Sequence, residues 1–476
     1  MRSRSARVFA VLTAAALMTP LFSGPSNASM RTAAPKVQGV TKKTIEIVVI
    51  VPDLDALRAK GISVSDETTA DEVRQEWLGY VDAYGPINGR KIVLKTVGWD
   101  PIDATSFDRA CTEATQDNHP FVVVNGTGFQ TSSIPCISVD NKTPFFSGDM
   151  GYADLFDASG KNLLTLGLPG EVAATGAVEL IVKTDAIPKT AKIGILSNNI
   201  PGVKAAGDAL ESELTKHGYD VASKIEVNGL SADLGLLNRE TAAAATTFQA
   251  AGVDTVLNTQ SLTQTGAFFD QVERNNLNFK VFNVDGQAST CTPFSGFRAP
   301  SAAAGTTCIT AWDARGVPTK DAVKADTAFE AKCRRQFDSV REIPSLPGGG
   351  NGSLDVEGVH YEQDIVPNEC TITSLLLPAI KKAGKNLTWD KVYKNLLATK
   401  KGPAAFLSEG EGGFAKNKPY FANPVMHFTV LSVPADGHGP PDANGLWDGC
   451  AIPAPCWVSQ EIDGQEWFPI SGKPKL

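Results

Sequence analysis

The stretch Gly79–Asp100 reads GYVDAYGPINGRKIVLKTVGWD and predicts a helix, a turn and a strand in succession. Apolar residues three or four positions apart place one helix face against a core: Val73, Trp77, Val81 and Tyr84. Gly85-Pro86 ends the helix, because glycine accepts a left-handed cap and proline cannot continue the helix. Asn88-Gly89 is a tight-turn signal, and Lys91–Val97 follows as a strand. We therefore expect a helix–turn–strand unit of an α/β sheet.

Strand and helix patterns alternate on both sides of this unit. The near-continuous β-branched run Ile45–Val51 predicts a strand that is buried on both faces. Two series of strands follow from the same patterns: Ile45–Val51, Lys91–Val97, Phe121–Asn125 and Pro144–Ser147, then Ala191–Leu196, Val221–Val227, Val253–Leu257, Lys280–Val284 and Thr306–Ala311. Helical periodicities lie between most of these strands. The pattern predicts two doubly wound α/β lobes with parallel sheets.

The last third of the chain changes character. Helical spacing begins at Ala325 and recurs over Ile372–Lys382 and Trp389–Ala398, and Val425–Val433 has the pattern of a strand. The segment 344–352 is predicted to be a loop, as is Pro52–Thr69 near the other end of the chain. Residues 434–476 form a tail rich in proline and glycine, for which the sequence predicts no fold beyond a cysteine staple.

The segment Tyr84–Leu94, which reads YGPINGRKIVL, resembles the end of the first helix and the second strand of type I periplasmic binding proteins. The most similar group is the branched-chain amino-acid (Leu/Ile/Val) binding family of ABC importers, and the resemblance covers about residues 41–433. It implies two lobes joined by a three-segment hinge, with crossings near Leu166–Pro169, Trp312–Thr319 and Tyr420–Met426. Lobe 1 would then comprise 41–167 plus 319–422, lobe 2 would comprise 168–313 plus 423–433, and 434–476 would be the tail.

Residues 1–28 have the pattern of a signal peptide. Three arginines precede the apolar run Val8–Leu17, and Ser26-Asn27-Ala28 fits a small-x-small cleavage site. The apolar run is too short to span a bilayer, and no cysteine follows it that could carry a lipid anchor. We therefore expect an exported protein, either periplasmic or extracellular and associated with the cell surface.

Eight cysteines in an exported chain favour disulfides: Cys111, Cys136, Cys291, Cys308, Cys333, Cys370, Cys450 and Cys456. Eight cysteines allow 105 pairings. The sequential order is preferred because, in the fold that the resemblance implies, each pair would then lie within one lobe. Buried free thiols are the alternative.

Charge and missing motifs exclude several functions. The net charge of −8 without a basic stripe argues against a nucleic-acid partner. The sequence has no GxSxG, HExxH or phosphate-loop motif, and the cysteines form no CxxC pair. We therefore predict no catalytic residues, no metal site and no cofactor, and we expect a monomer.

Candidate ligand-binding residues follow the predicted strands, because ligands of parallel sheets bind beyond the carboxyl ends of the strands. They are Asp53, Thr127, Gln130, Thr131, Ser147, Met150, Asn199, Gln260, Ser261 and Asp285. The resemblance implies that Gln130, Thr131, Ser147 and Met150 hold a ligand carboxylate and that Asp285 holds an ammonium group. The structural alternatives are a helix cap for the loop 126–131 and a turn carboxylate for Asp285.

These features predict a solute-binding protein that captures a small polar ligand, an amino acid or a related acid or amide, by closure of the two lobes. The expected partner is an ABC importer permease. Two alternatives stay open, namely a ligand sensor for a membrane receptor and a secreted hydrolase that uses carboxylates of the cleft.

Overall fold

The computed structural model describes most of the chain from Val37 onward. The described residues are 37–59, 70–100, 103–126, 134–229, 233–260, 262–286, 291, 300–312, 327–338, 354–356, 359–361, 366–434, 441–443, 446–450 and 455–471. The predicted signal peptide and the predicted loop 344–352 lie outside these residues.

Strands and helices are numbered in chain order. The strands are β1 Thr44–Pro52, β2 Lys91–Trp99, β3 Val122–Asn125, β4 Phe145–Ser147, β5 Leu163–Thr165, β6 Lys192–Asn198, β7 Asp220–Val227, β8 Thr255–Asn258, β9 Lys280–Asp285, β10 Thr307–Thr310, β11 Leu354–Val356, β12 Val359–Tyr361, β13 Gly402–Pro403, β14 Glu411–Gly412, β15 Val425–Ser432, β16 Cys456–Ser459 and β17 Trp467–Pro469. The helices are α1 Leu54–Ala59, α2 Ala70–Tyr84, α3 Ala104–Thr112, α4 Ala153–Ser159, α5 Gly170–Thr184, α6 Pro201–Lys216, α7 Leu234–Ala250, α8 Leu262–Arg274, α9 Pro300–Ala303, α10 Ala328–Asp338, α11 Val366–Ala383 and α12 Trp389–Leu397.

The helix–turn–strand unit at Gly79–Asp100 has the predicted structure. Helix α2 ends at Tyr84, and Gly85 takes a φ of +79° while its N–H still donates to Val81 O. Asn88 and Gly89 both have positive φ in the turn that precedes β2. Glycine adopts this left-handed conformation without steric cost, and asparagine tolerates it.

The first sheet defines lobe 1. Its strands are all parallel and lie in the order β2-β1-β3-β4-β5. The central strand β1 is almost fully buried, as the β-branched pattern predicts, and Val49 pairs with Thr96 on one side and Val124 on the other. The strand order reverses between β1 and β3, which is the position where doubly wound sheets bind ligands.

The second sheet defines lobe 2 and repeats this order before departing from it. Strands β7-β6-β8-β9-β10 are parallel, but β15 pairs with β10 in the antiparallel direction. The tail adds β16 and β17, which also pair antiparallel with β15. The expectation of a purely parallel sheet is therefore wrong at this edge, where the chain returns from lobe 1 and covers the open side of β10.

The chain passes between the two lobes three times. It leaves the first sheet after β5, leaves the second sheet after β10, and returns to the second sheet with β15. Helix α11 packs beside α2 in lobe 1, where Asn88 Nδ2 donates to Lys381 O at 3.0 Å. The predicted loop Pro52–Thr69 is wrong over Leu54–Ala59, because Asp53 Oδ1 accepts from Ala56 N and begins the short helix α1.

The four disulfides join cysteines in sequential order, as predicted: Cys111–Cys136, Cys291–Cys308, Cys333–Cys370 and Cys450–Cys456. The pair Cys333–Cys370 links α10 to α11, two helices that reach lobe 1 only after the chain has built most of lobe 2. The pair Cys450–Cys456 joins the tail to the first residue of β16. None of the described helices is long and apolar enough to cross a membrane.

Candidate functional site

The carboxyl ends of strands from both sheets carry polar side chains, and these ends form the candidate site. In lobe 1 they are the ends of β1, β3 and β4, and in lobe 2 the ends of β6, β8 and β9. Of the ten predicted residues, Thr127, Gln130, Thr131 and Ser261 lie outside the described residues. The other six are placed below.

Lobe 1 contributes a buried polar network at the ends of β3 and β4. Asn125 Nδ2 donates to Asp149 Oδ2 at 2.7 Å, and Asp149 N donates to Ser147 Oγ at 3.0 Å. All three side chains are at most 2% exposed. Ser147 therefore fixes the turn that follows β4, and Asp149 extends the network to β3.

Two glycines let the backbone segments of this wall approach each other closely. A methyl carbon added at Gly148 would overlap the carbonyl oxygen of Gly126. A methyl carbon at Gly126 would lie 3.0 Å from Glu369 Cγ, in the first turn of α11. Glu369 is buried beside the wall although it is more than 200 positions away in sequence. No local pattern could have found it, because tertiary packing alone brings α11 to this loop.

Lobe 2 contributes a row of buried amides at the ends of its central strands. Asn258 Nδ2 donates to Asn283 Oδ1 at 2.9 Å and to Thr265 Oγ1 at 2.8 Å. Asn198, at the end of β6, accepts from Ile200 N at 3.0 Å. These asparagines are not among the predicted ligand-binding residues, although one polar residue at or near the end of each apolar strand was a usable signal.

The predicted residues of lobe 2 lie on this row or beside it. Gln260 is 2% exposed, and its Nε2 donates to Ser197 O at 3.1 Å. Asn199 Oδ1 accepts from Gly229 N at 2.9 Å. Asp285 is 3% exposed and its Oδ2 accepts from Cys291 N at 3.0 Å, so the carboxylate also holds the backbone of the cysteine that is bonded to Cys308.

Met150 brings the two walls into contact. It packs with Ile200 and Val203 of lobe 2. A methyl carbon added at Gly202 would lie 3.7 Å from Met150 Cε, and one at Gly286 would lie 3.6 Å from Met150 Sδ. The loop after β4 therefore touches lobe 2 after β6 and β9. Asp53, by contrast, caps α1 through its bond to Ala56 N.

Backbone hydrogen bonds tie the hinge segments together. Phe421 N donates to Thr165 O at 2.9 Å, and Ala422 N donates to Leu166 O at 2.8 Å. Ser408 N donates to Ala311 O at 2.8 Å, which connects the second crossing to the segment that leads into the third. These bonds hold the crossings side by side, as a hinge between two rigid lobes requires.

A carboxylate of lobe 2 caps a helix of lobe 1 next to the first crossing. Glu171 Oε1, in the first turn of α5, accepts from Ala153 N at 3.0 Å at the start of α4. Burial raises the pKa of Glu171 above its ordinary value of 4.5, while its backbone hydrogen bonds act in the opposite direction. Burial also raises the pKa of the nearby Tyr152.

Metal binding finds no support in the described part of the chain, where no group of three or more His, Cys, Asp or Glu side chains could hold an ion. What the geometry offers is hydrogen bonding. Neutral amides, hydroxyls and glycine backbones line the strand ends, and this combination suits recognition of a small polar molecule.

No family model and no curated protein matches the sequence. Solved structures do match the fold. A leucine-binding protein from Thermotoga maritima is 12% identical with a TM-score of 0.58, over 82% of this chain and 95% of that one.

A branched-chain amino-acid ABC transporter protein from Thermus thermophilus, solved with bound valine, is 14% identical with a TM-score of 0.59, over 91% and 98% of the two chains. A solute-binding protein from Rhodopseudomonas palustris BisB5, in complex with 3,4-dihydroxybenzoic acid, is 14% identical with a TM-score of 0.57, over 83% and 94%. This chain therefore has the two-lobed fold of the type I periplasmic solute-binding proteins.

Proposed function

We propose that the protein is an exported solute-binding protein that captures a small polar ligand between its lobes and delivers it to an ABC importer. The observation that carries the proposal is the arrangement of the two sheets, whose polar carboxyl ends approach each other beside a hydrogen-bonded three-segment hinge. Several structural neighbours are named as solute-binding proteins of ABC transporters, which supports the same role.

The proposed ligand is an amino acid or a related acid or amide. Ser147 and Met150, with Thr127, Gln130 and Thr131, would form the lobe 1 wall, while Asn199, Gln260, Ser261 and Asp285 would form the lobe 2 wall. The buried amide row of lobe 2 supports a neutral hydrogen-bonding surface with one carboxylate at its edge. Lobe boundaries at 167/168, 313/319 and 422/423 belong to this proposal, as does a signal peptide over residues 1–28.

A thermal-shift screen of the mature chain with amino acids, amides, short carboxylic acids and polyamines tests the proposal. A ligand at a hundredfold excess over its Kd stabilises the folded state by about 2.7 kcal/mol. Small-angle scattering should then show a smaller radius of gyration in the liganded protein, because closure brings the lobes together. A panel without any stabilising ligand would contradict the proposal, and turnover of a stabilising compound would favour the hydrolase alternative.

A further inference from the structure

A cluster of positive side chains occupies the end of lobe 1 that is remote from the candidate cleft. We call it the basic end, and it comprises Lys42, Lys43, Arg90, Lys91, Lys381, Lys382 and Lys385. These residues precede β1 and β2 or end α11, whereas the candidate site follows the carboxyl ends of the strands. Strand β1 has nine residues, so about 30 Å separates the two ends.

Backbone contacts hold the cluster together. Lys91 N donates to Lys43 O at 2.8 Å. The Arg90 guanidinium bridges two further segments, since its Nε donates to Thr41 O at 2.8 Å and its Nη2 donates to Lys385 O at 2.9 Å. Three segments that are distant in sequence therefore present their positive charges on one surface, and only the tertiary structure brings them together.

The six lysines of the basic end are exposed, and none of them forms an ion pair within the described part of the chain. Lysines elsewhere are often paired: Lys224 binds Asp208 and Glu211, and Lys95 binds Glu46. Among the described residues, no carboxylate pairs with the lysines of the basic end, although the net charge of the protein is −8. Such a concentration of one sign attracts a surface of the opposite sign.

A cavity of about 400 Å³ opens within this surface, between the end of α2 and the start of β1 and β2. Val81, Pro86 and Ile92 supply apolar lining, and Lys43, Arg90 and Lys91 contribute its positive side. Asp82 is the acidic residue that lines it. An apolar recess beside unpaired ammonium groups matches an anion that carries an apolar part.

The predominance of lysine over arginine in the basic end indicates what kind of anion it binds. Arginine forks bind single phosphates in fixed geometry, whereas lysine is a mobile point charge. The basic end has six lysines and one arginine, and the arginine already donates to two backbone carbonyls. This composition favours a diffuse anionic surface over one tightly caged phosphate.

We propose that the basic end of lobe 1 docks the protein onto a membrane of anionic phospholipid, with the cleft and hinge facing away from the contact. This inference goes beyond the proposed function and does not depend on it. Each lysine near such a surface strengthens binding by about fivefold, and salt weakens the attraction.

Co-sedimentation of the mature chain, without the predicted signal peptide 1–28, with vesicles tests the docking. We expect binding to phosphatidylcholine vesicles that contain phosphatidylglycerol, weak binding to phosphatidylcholine alone, and release at high salt. The triple variant K43Q/K91Q/K382Q should bind the anionic vesicles about a hundredfold less tightly. The matched control K192Q/K216Q/K280Q makes the same charge change at exposed lysines near the amino ends of the lobe 2 strands and should bind like the parent protein.

Three outcomes would overturn the proposal. The first is that the protein binds anionic and neutral vesicles equally well. The second is that both triple variants lose the same amount of vesicle binding. The third is that the protein does not bind vesicles but binds glycerol 1-phosphate saturably. The last outcome would assign a soluble phosphate to the cavity instead. Circular dichroism of both variants verifies that they fold, because all the substituted side chains are exposed.

Discussion

The two lobes share one strand order but present different walls to the cleft. Both sheets place their first strand between the second and third, as β2-β1-β3 in lobe 1 and β7-β6-β8 in lobe 2. In lobe 1, Asn125 pairs with the carboxylate of Asp149, and the glycine loops beside it pack on Glu369. In lobe 2, Asn258 pairs instead with another amide, that of Asn283. Topology therefore repeats while chemistry does not, because the loops after the strands are free to differ.

The lobes also differ in how they are completed. Lobe 1 borrows α10, α11 and α12 from late in the chain, whereas the tail strands β16 and β17 complete the sheet of lobe 2. A disulfide, Cys333–Cys370, joins two of these late helices, α10 and α11.

Removing the disulfide of lobe 1 should destabilise the protein more than removing the disulfide of the tail. The cysteines of Cys333–Cys370 are 37 residues apart, and those of Cys450–Cys456 are 6 apart. Chain entropy predicts losses of about 4 and about 2 kcal/mol for the two double serine variants. Circular dichroism during urea unfolding measures the free energy of unfolding of both variants. Equal losses would show that lobe 1 does not need its late helices to be linked.

Gly148→Ala should disrupt the lobe 1 wall, because the added methyl overlaps the carbonyl oxygen of Gly126. We expect a loss of about 3 kcal/mol in the free energy of unfolding, together with weaker ligand binding. Gly98→Ala in β2 is the matched control, since a methyl carbon there meets nothing within 4 Å. Normal stability of Gly148→Ala would mean that the two loops can separate without consequence.

Asp285→Asn should separate the ligand role of lobe 2 from its structural role. An asparagine oxygen can still accept from Cys291 N, so the fold should persist, but the negative charge is lost. For a ligand with an ammonium group, the affinity measured by calorimetry should fall by about 1.5–3 kcal/mol.

The control for this substitution is Asp254→Asn, because Asp254 Oδ2 accepts from Lys192 N at the amino ends of β6 and β8, away from the candidate site. Its ligand affinity should equal that of the parent protein. An unchanged affinity in Asp285→Asn would place this carboxylate outside the site, and a failure to fold would make it a turn residue.

The smallest effect concerns Glu171, the lobe 2 residue that caps α4 of lobe 1. Because burial raises its folded pKa above 4.5, the folded state retains the proton more strongly than the unfolded state does. Stability from this group is therefore present below pH 4.5 and is lost as pH rises through the folded pKa. Urea unfolding at a series of pH values measures this loss of stability, and Glu171→Gln should make the loss smaller.

Glu179→Gln on the same helix is the control, since Glu179 Oε2 accepts from Ser471 N within lobe 2. Its pH profile should follow that of the parent protein. An identical profile in Glu171→Gln would show that the cap between the lobes is not linked to protonation.

Local patterns were sufficient for much of the fold. The β-branched run of β1, the Gly85-Pro86 stop and the Asn88-Gly89 turn each act over a few residues, so the sequence predicts them directly. The sequential disulfides were predicted from the lobe assignment that the family resemblance implies, and the structure has them. The resemblance carried by Tyr84–Leu94 then pointed to the two-lobed architecture.

Contacts between distant segments were decided only by the tertiary structure. Glu369 reaches Gly126, the tail strands pair with β15, and Arg90 joins Thr41 to Lys385. None of these contacts leaves a periodic signal, because each depends on where two separately stable elements pack. The sequence by itself therefore determined most strands of the two sheets and the turn before β2, while tertiary packing decided the composition of the cleft walls, the antiparallel edge of lobe 2 and the clustering of charge at the basic end.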